Sequence, residues 1–239
     1  MKTYVLTYDG LIDETIELYE FLQELYWPNS DITVLGYKSP TYKSDTIKFD
    51  SLGIDNGTNG VPSQLYDYFS KIEDRHFIFG VDDIPFISKV KFELLDEVEQ
   101  FMCENESIGR FGLTADELTR PTKVLWRTSS TGPFTLSFNL QACSFDFKDA
   151  NGNPVINWHQ TTGGNYKLAG CWSIWDREYF LLYINNYDNL WQWELDGSVA
   201  ANKDDKKVFT TCPPIMTHAH MIKRGQFRDN WQQEAVQNS

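Results

Sequence analysis

Residues 77–86 read Phe77-Ile-Phe-Gly-Val-Asp82-Asp83-Ile-Pro-Phe86. The uncharged residues 77–81 predict a buried strand, and two carboxylates follow it at once. In open α/β sheets, ligands bind outside the carboxyl ends of the strands. Two adjacent carboxylates repel each other, and a hard divalent cation such as Mn²⁺ or Mg²⁺ relieves that repulsion while leaving positions open for phosphate oxygens. The alternative interpretation is a solvated Asp-Asp turn that carries no chemistry.

Strand-like and helix-like segments alternate on both sides of this stretch. Short apolar segments predict strands at 4–7, 32–35, 46–49, 76–81 and 107–113, and helical spacing predicts helices at 14–26, 62–72 and 88–103. This alternation predicts an α/β fold, with a single Rossmann-like domain whose mainly parallel central sheet is flanked by helices. We also expect later strands at 124–127, 135–140, 144–147, 166–173 and 215–221, and a helix at 176–184.

The negative charge of the chain lies in its first half. The sequence holds 34 Asp+Glu and 21 Lys+Arg, a net charge of −13. Residues 1–120 contain 23 acids and 10 bases, whereas residues 121–239 contain 11 of each. This balance excludes a sequence-wide attraction for nucleic acid or anionic lipid, because both need clustered Lys and Arg. An anionic ligand would therefore need a metal ion or a few local bases.

A second informative segment is Asn189-Leu-Trp191-Gln-Trp193-Glu194-Leu-Asp196-Gly197-Ser198. Trp rings stack on the apolar faces of sugars, so Trp191 and Trp193 are candidates for an acceptor-binding platform. A carboxylate beside such a platform is suited to act as a general base on a hydroxyl group. The alternative is a pair of core Trp residues with an exposed Glu.

A third segment is Thr217-His218-Ala-His220-Met-Ile-Lys223-Arg224-Gly225. Alternate residues of a strand point to the same side, so His218 and His220 would share a face, and His220 could complete a metal site. Lys223 and Arg224 form a local basic pair that could hold a diphosphate. Ordinary surface histidines followed by a solvated basic turn remain the alternative.

The sequence lacks the common signatures of several other enzyme classes. It contains no GxxxxGK[ST], GxGxxG, GxSxG or HExxH motif. Its four cysteines, at positions 103, 143, 171 and 212, form no CxxC pair and predict reduced thiols. No apolar run approaches the roughly 20 residues of a membrane-spanning helix, and the first residues do not resemble a signal peptide. We therefore expect a cytoplasmic protein with no membrane span.

Taken together, these segments resemble glycosyltransferases of the GT-A fold, in particular a small type known from large DNA viruses, phages and bacteria. Asp82-Asp83 corresponds to the Asp-x-Asp motif of that family, although only two aspartates stand here. The later matching segments are Ser173-Ile-Trp175-Asp-Arg-Glu-Tyr179-Phe-Leu181, the Trp191–Ser198 segment and Ile222-Lys-Arg224-Gly225. The resemblance covers most of the chain.

This resemblance implies a transferase that moves a sugar from a nucleoside diphosphate sugar to a carbohydrate hydroxyl, assisted by Mn²⁺ or Mg²⁺. Residues 1–229 would form one domain, with a donor nucleotide-binding half (1–120), an acceptor half (121–229) and a polar tail (230–239). The implied donor contacts are Thr7, Tyr8, Asp9, Asp82, Lys223 and Arg224. Asp83 would bind the metal, and Glu194, or in second place Asp196, would be the catalytic base. Two alternatives stay open: a non-catalytic carbohydrate-binding protein and another metal-dependent α/β enzyme such as a phosphohydrolase.

Overall fold

Strands and helices alternate through the first half of the computed structural model, as the sequence predicts. The strands are β1 (Lys2–Leu6), β2 (Asp31–Gly36), β3 (Lys48–Ser51), β4 (His76–Val81) and β5 (Ile108–Gly112). The helices are α1 (Ile12–Tyr26), α2 (Val61–Phe69) and α3 (Phe92–Glu104). The structure describes residues 1–7, 9–114, 123–124, 139–140, 144–148, 154–161, 166–212, 214–223 and 226–227.

The second half supplies the remaining elements. They are β6 (Lys123–Val124), β7 (Asn139–Leu140), β8 (Ser144–Lys148), β9 (Pro154–Thr161), β10 (Ser173–Asp176), α4 (Arg177–Ile184), β11 (Lys207–Cys212), β12 (Ile222–Lys223) and β13 (Gln226–Phe227). Three helical turns follow α4: Leu190–Gln192, Trp193–Gly197 and Ser198–Ala201. The expected strand at 166–173 is wrong except for Ser173, and residues 215–221 form only an isolated bridge between His218 and Phe86.

Nine of these strands form one sheet in the order β3-β2-β1-β4-β10-β5-β11-β9-β8. The pairs β1–β2, β1–β4, β2–β3 and β5–β11 are parallel. Strand β10 enters between β4 and β5 and is antiparallel to both, and β9 is antiparallel to β11 and β8. Seven of the nine strands therefore run in one direction, which confirms the predicted mainly parallel sheet.

Helices cover both faces of the sheet. Val5 and Ile78 point to the face where α1 and α3 pack, whereas Tyr4 and Phe77 point to the face where α2 and α4 pack. The alternation follows from the two-residue period of a strand. Because both faces are buried, the strands are nearly continuous in apolar residues. The predicted flanking of the sheet by helices is confirmed, and residues from both halves of the chain share each core.

Candidate active site

The carboxyl ends of β1 and β4 bring Thr7 and Asp82 together. The two strands are parallel with Leu6 opposite Val81, so the residues that follow them meet at one edge. Thr7 Oγ1 donates a hydrogen bond of 2.6 Å to Asp82 Oδ2, and Asp82 N donates to the Leu6 carbonyl at 2.9 Å. Both side chains are buried, with only 2% of Asp82 exposed. A buried carboxylate needs such donors, because an unpaired one is costly.

The turn after β4 is held from two sides. Trp172 Nε1 donates to the Ile84 carbonyl at 2.6 Å, and Met221 N donates to the Asp83 carbonyl at 3.0 Å. A Cβ on Gly80 would lie within 2.9 Å of the Trp172 ring, so only glycine lets the indole reach this position. The turn therefore has one fixed geometry, in which Asp83 is presented beside the segment that carries His220.

Burial raises the pKa of the Asp83 carboxyl above its ordinary value, and the nearby His220 and His218 oppose that rise. The two imidazole rings lie 5.7 Å apart, edge to face, as alternate residues of an extended segment would. His220 is exposed and His218 is half-buried. The carboxyl of Asp83 is thus held in a poorly solvated place, which favours a cation or proton beside it.

Glu194 lies in a π-helical turn, Trp193–Gly197, after the exposed Trp191. Its Oε1 accepts a hydrogen bond of 2.6 Å from Gly170 N. π-helical turns are rare and frequently occur at functional sites. The bond joins the turn to residues 166–171, which form the adjacent wall.

Residues 166–168 of this wall are held by side chains rather than by a strand ladder. Arg110, only 1% exposed, donates to the carbonyls of Tyr166 and Lys167 at 3.1 and 3.0 Å, and to Ser173 Oγ at 2.9 Å. Leu168 N donates to Ser198 Oγ at 2.9 Å. These bonds replace strand pairing, which is the physical reason why the expected strand at 166–172 does not form.

These elements enclose a cavity of about 550 Å³ at the carboxyl ends of β1 and β4. Five of the residues singled out in the sequence line it: Asp82, Asp83, Trp191, Glu194 and His220. Among the described lining residues there are three carboxylates and one imidazole, and no Lys or Arg. The other lining residues are Leu6, Thr58, Val61, Val81, Ile84, Tyr166, Gly170, Cys171, Asn189 and Leu190.

Three of the expected site residues lie outside the cavity lining. Trp193 is fully buried and packs against Trp175 and Phe180 at centroid distances of 5.5 and 5.6 Å, so it has no free face for a sugar. Thr7 is 1% exposed and does not line the cavity, so it reaches the site only through Asp82. Asp196 is exposed to solvent outside the lining. Glu194 and Asp196 lie two residues apart in a helical turn, so their side chains point in different directions. The sequence alone did not show which of the two faces the cavity.

Four further candidates lie partly or wholly outside the described residues. Tyr8 and Arg224 are not described. Asp9 belongs to the 3-10 turn Asp9–Leu11 that follows β1, and Lys223 ends β12, but neither side chain is described. Their assignment to donor binding stays a prediction.

The sequence did not single out Arg110, Gly170 or Tyr166. Arg110 occupies an otherwise apolar strand, and a charge at such a position is a detectable signal for a buried hydrogen-bonding role. Tyr166 has a left-handed backbone with φ of 73°, which is uncommon for a residue other than glycine and leaves no signature in sequence.

The described residues contain no group of three or more His, Cys, Asp or Glu side chains placed to hold a metal. Mg²⁺ is commonly held by only one or two carboxylates together with substrate phosphates and water. Asp83, whose pKa is raised by burial, fits that second arrangement. The donor set therefore suits a cation that arrives with a phosphate ligand rather than one caged by the protein.

No protein family and no curated protein sequence matches the chain. Among solved structures, the match with CMP:2-keto-3-deoxy-manno-octonic acid synthetase complexed with CTP covers 91% of this chain and 94% of that one, at 12% identity and a TM-score of 0.41. A cytidylyltransferase from Leptospira borgpetersenii serovar Hardjo-bovis matches over 87% and 74%, at 8% identity and 0.45. HddC from Yersinia pseudotuberculosis matches over 99% of both chains, at 12% and 0.46. At such low identities and TM-scores, these likenesses carry no argument about activity.

None of the helices in the described residues combines the length and apolar character that crossing a membrane requires.

Proposed function

We propose that the protein is a glycosyltransferase that moves a sugar from a nucleoside diphosphate sugar to a carbohydrate hydroxyl. The observation that carries this proposal is the cavity at the carboxyl ends of β1 and β4, where Asp82, Asp83, Trp191, Glu194 and His220 meet. These residues come from three separate stretches of sequence. Carboxylates, an exposed Trp and an anchored Glu at one sheet edge suit a ligand with both a phosphate and a sugar part.

In this proposal Asp82 orients the donor and Asp83 holds the cation. The Thr7 hydroxyl and the Leu6 carbonyl fix the position of Asp82, so this carboxylate needs no reorganisation when the ligand binds. Asp83, with His220 beside it, would hold Mn²⁺ or Mg²⁺ together with diphosphate oxygens. Such an ion, when bound, supplies positive charge against the leaving diphosphate.

Glu194 is the proposed general base. Its Oε1 accepts from Gly170 N, which fixes one carboxylate oxygen and orients the group at the cavity wall. A base on one side of the sugar and a leaving group on the other is the arrangement of an inverting displacement with an oxocarbenium-like transition state. Trp191, 67% exposed at the cavity, is the proposed acceptor platform. Asp196 remains the second candidate for the base.

The remaining donor contacts are proposed from position in the chain. In the sequence, Tyr8 and Asp9 come just after Thr7, whose hydroxyl donates to Asp82. Lys223 and Arg224 follow Met221, whose backbone N–H donates to the Asp83 carbonyl. Two basic side chains there would offset the excess of carboxylates against an anionic diphosphate.

Nucleotide binding and product analysis test this proposal together. Thermal-shift titrations with UDP-, GDP- and TDP-sugars, with and without Mn²⁺, should show a stabilisation that depends on the metal. Nucleoside diphosphate should then accumulate in the presence of an acceptor. Release of pyrophosphate from a nucleoside triphosphate would instead indicate nucleotidyl transfer, since the same carboxylates could hold that ligand with its cation. Sugar binding that ignores nucleotide and metal would support the non-catalytic alternative, and phosphate release from simple esters the phosphohydrolase.

Paired variants test the assigned roles. Asp83→Asn should abolish the metal-dependent thermal shift, whereas Asp96→Asn on the exposed face of α3 should leave it unchanged. Glu194→Gln should keep donor binding and lower kcat by about 10²–10⁴, the contribution of a positioned general base. Asp196→Asn should retain nearly full activity. The opposite ranking of these two variants would transfer the role of base to Asp196.

A further inference from the structure

A second cluster of reactive groups lies at the other end of β4, away from the cavity. Cys103 Sγ lies 3.7 Å from His76 Nδ1, and His76 Nε2 lies 3.8 Å from Asp176 Oδ2. The three residues come from α3, the first position of β4 and the last position of β10. A thiol, an imidazole and a carboxylate in this order are the parts of an activated nucleophile. The described residues contain no group of three or more His, Cys, Asp or Glu side chains placed to hold a metal, this cluster included.

His76 is the central member of this cluster. Its side chain is 1% exposed, and Nε2 has no hydrogen-bond partner among the described residues. Burial lowers the pKa of the imidazole, Asp176 opposes that shift, and Arg75 adds to it. The ring is therefore neutral at pH 7, and in the tautomer that carries its hydrogen on Nε2, Nδ1 can accept a proton. Asp176 is itself fixed, because its Oδ1 caps α4 by accepting from Tyr179 N at 3.0 Å.

Cys103 is exposed and lies in the last turn of α3. Three carboxylates lie near it along the chain: Glu99 one helical turn earlier, Glu104 next in sequence, and Glu106 three residues later, 3.8 Å from Arg75. His76 Nδ1, 3.7 Å away, is the base within reach of this thiol.

We propose that Cys103 is a thiol-modification site in which His76 accepts the thiol proton and Asp176 stands behind the imidazole. In exchange with a small disulfide, Cys103 Sγ attacks one sulfur, a new S–S bond forms, and the S–S bond of the reagent breaks. The thiol proton moves to His76 Nδ1, and the other half of the reagent leaves as a thiolate that takes up that proton. This proposal does not depend on the function proposed for the cavity.

The surrounding charge selects the reagent. Glu99, Glu104 and Glu106 attract cations and repel anions. Their charge is offset in part by Arg75, by Lys206, whose Nζ donates to the Glu106 carbonyl at 2.6 Å, and by the amino terminus near Glu99. Cationic disulfides such as cystamine should therefore react faster at Cys103 than dianionic ones such as dithiodiglycolate, and the difference should shrink at high salt.

The test measures how fast Cys103 is modified by cystamine, using intact-mass and peptide mapping, from pH 6 to pH 9. An unassisted thiol with a pKa of about 8.5 is roughly 3% ionised at pH 7, so a base can accelerate the reaction by at most about 30-fold there. We expect His76→Asn to slow Cys103 about tenfold at pH 7 and to have little effect at pH 9, where the thiol ionises by itself. Cys171 in the same molecule is the internal control and should keep its rate.

Two further measurements keep the proposal falsifiable if His76→Asn fails to fold. Asp176→Asn keeps a capping side chain but removes the charge behind His76, and it should also slow Cys103 at pH 7. In the unmodified protein, the rate at Cys103 should already be high below pH 8. Equal rates in wild type and a folded variant, or a wild-type profile that rises only with the ionisation of an ordinary thiol, would overturn the proposal. A preference for dithiodiglycolate would overturn the charge selection.

Discussion

Replacing Thr7 by Val tests whether a single hydroxyl holds the buried Asp82 in place. The two side chains have nearly the same shape, so the change removes the 2.6 Å hydrogen bond from Thr7 Oγ1 to Asp82 Oδ2 and the 3.1 Å hydrogen bond between the Thr7 and Thr15 hydroxyls. Both residues are almost completely buried, so water does not replace the lost donor. A hydrogen bond to a charged group contributes about 1.5–3 kcal/mol, and we expect a loss of about 2 kcal/mol. For a chain of this size that lowers Tm by about 4–8 °C.

Thr3 on the same strand provides the matched control. It is fully buried, and its Oγ1 has no hydrogen-bond partner within the described part of the chain. Thr3→Val removes an unsatisfied buried hydroxyl, so Tm should stay the same or rise. Thermal unfolding followed by circular dichroism at pH 7 compares the two variants. Equal Tm values for Thr7→Val and Thr3→Val would refute the idea that the Thr7 hydroxyl stabilises Asp82.

Three further predictions concern other parts of the site. Because the pKa of Asp83 is raised in the folded protein, its contribution to stability is present below pH 4 and is lost as pH rises through the folded pKa. Asp83→Asn should therefore raise Tm more at pH 7 than at pH 3.5, and a difference that is constant with pH would contradict this. Trp191→Ala should change the free energy of unfolding by less than about 0.5 kcal/mol, whereas Trp193→Ala should lower it by about 3–5 kcal/mol, both measured by urea unfolding. Similar losses for the two variants would contradict the assignment of Trp191 to the surface and Trp193 to the core. Arg110→Met should lower the free energy of unfolding by at least about 2 kcal/mol and increase protease cleavage near residue 166, because the carbonyls of Tyr166 and Lys167 lose their donor. Unchanged cleavage would mean that other contacts hold residues 166–168 in place.

Local pattern was enough to predict the elements of the first half. The helix expected at 14–26 spans Ile12–Tyr26, and the strand expected at 76–81 is His76–Val81. The helix has apolar residues at helical spacing and the strand is a nearly continuous apolar run, and both patterns are strong local signals. The helix expected at 88–103 begins only at Phe92, because the backbone of Ile87 and Val90 bonds instead to Thr217 and Tyr26. Such non-local partners are not visible in local sequence.

The candidate site was predicted in part. The adjacent aspartates and Glu194 do line one cavity, because a strand end and a helical turn project them in the same direction. Trp191 and Trp193 look equivalent in sequence, yet one is 67% exposed and the other fully buried. Residues two apart on a helical turn face nearly opposite directions, so the packing of α4 decided which ring remained free.

The sequence by itself determined the alternation of strands and helices, the position of Asp82-Asp83 after a buried strand, and the acidic character of the first half. These properties depend on residue order over a few positions. Only the tertiary structure decided that β10 inserts between β4 and β5, that Thr7 supports Asp82, and that Arg110 fixes the wall beside Glu194. It also placed Cys103, His76 and Asp176 together, because the end of a helix and the ends of two antiparallel strands meet there. Contacts between distant segments depend on which strands pair, and local sequence does not specify that choice.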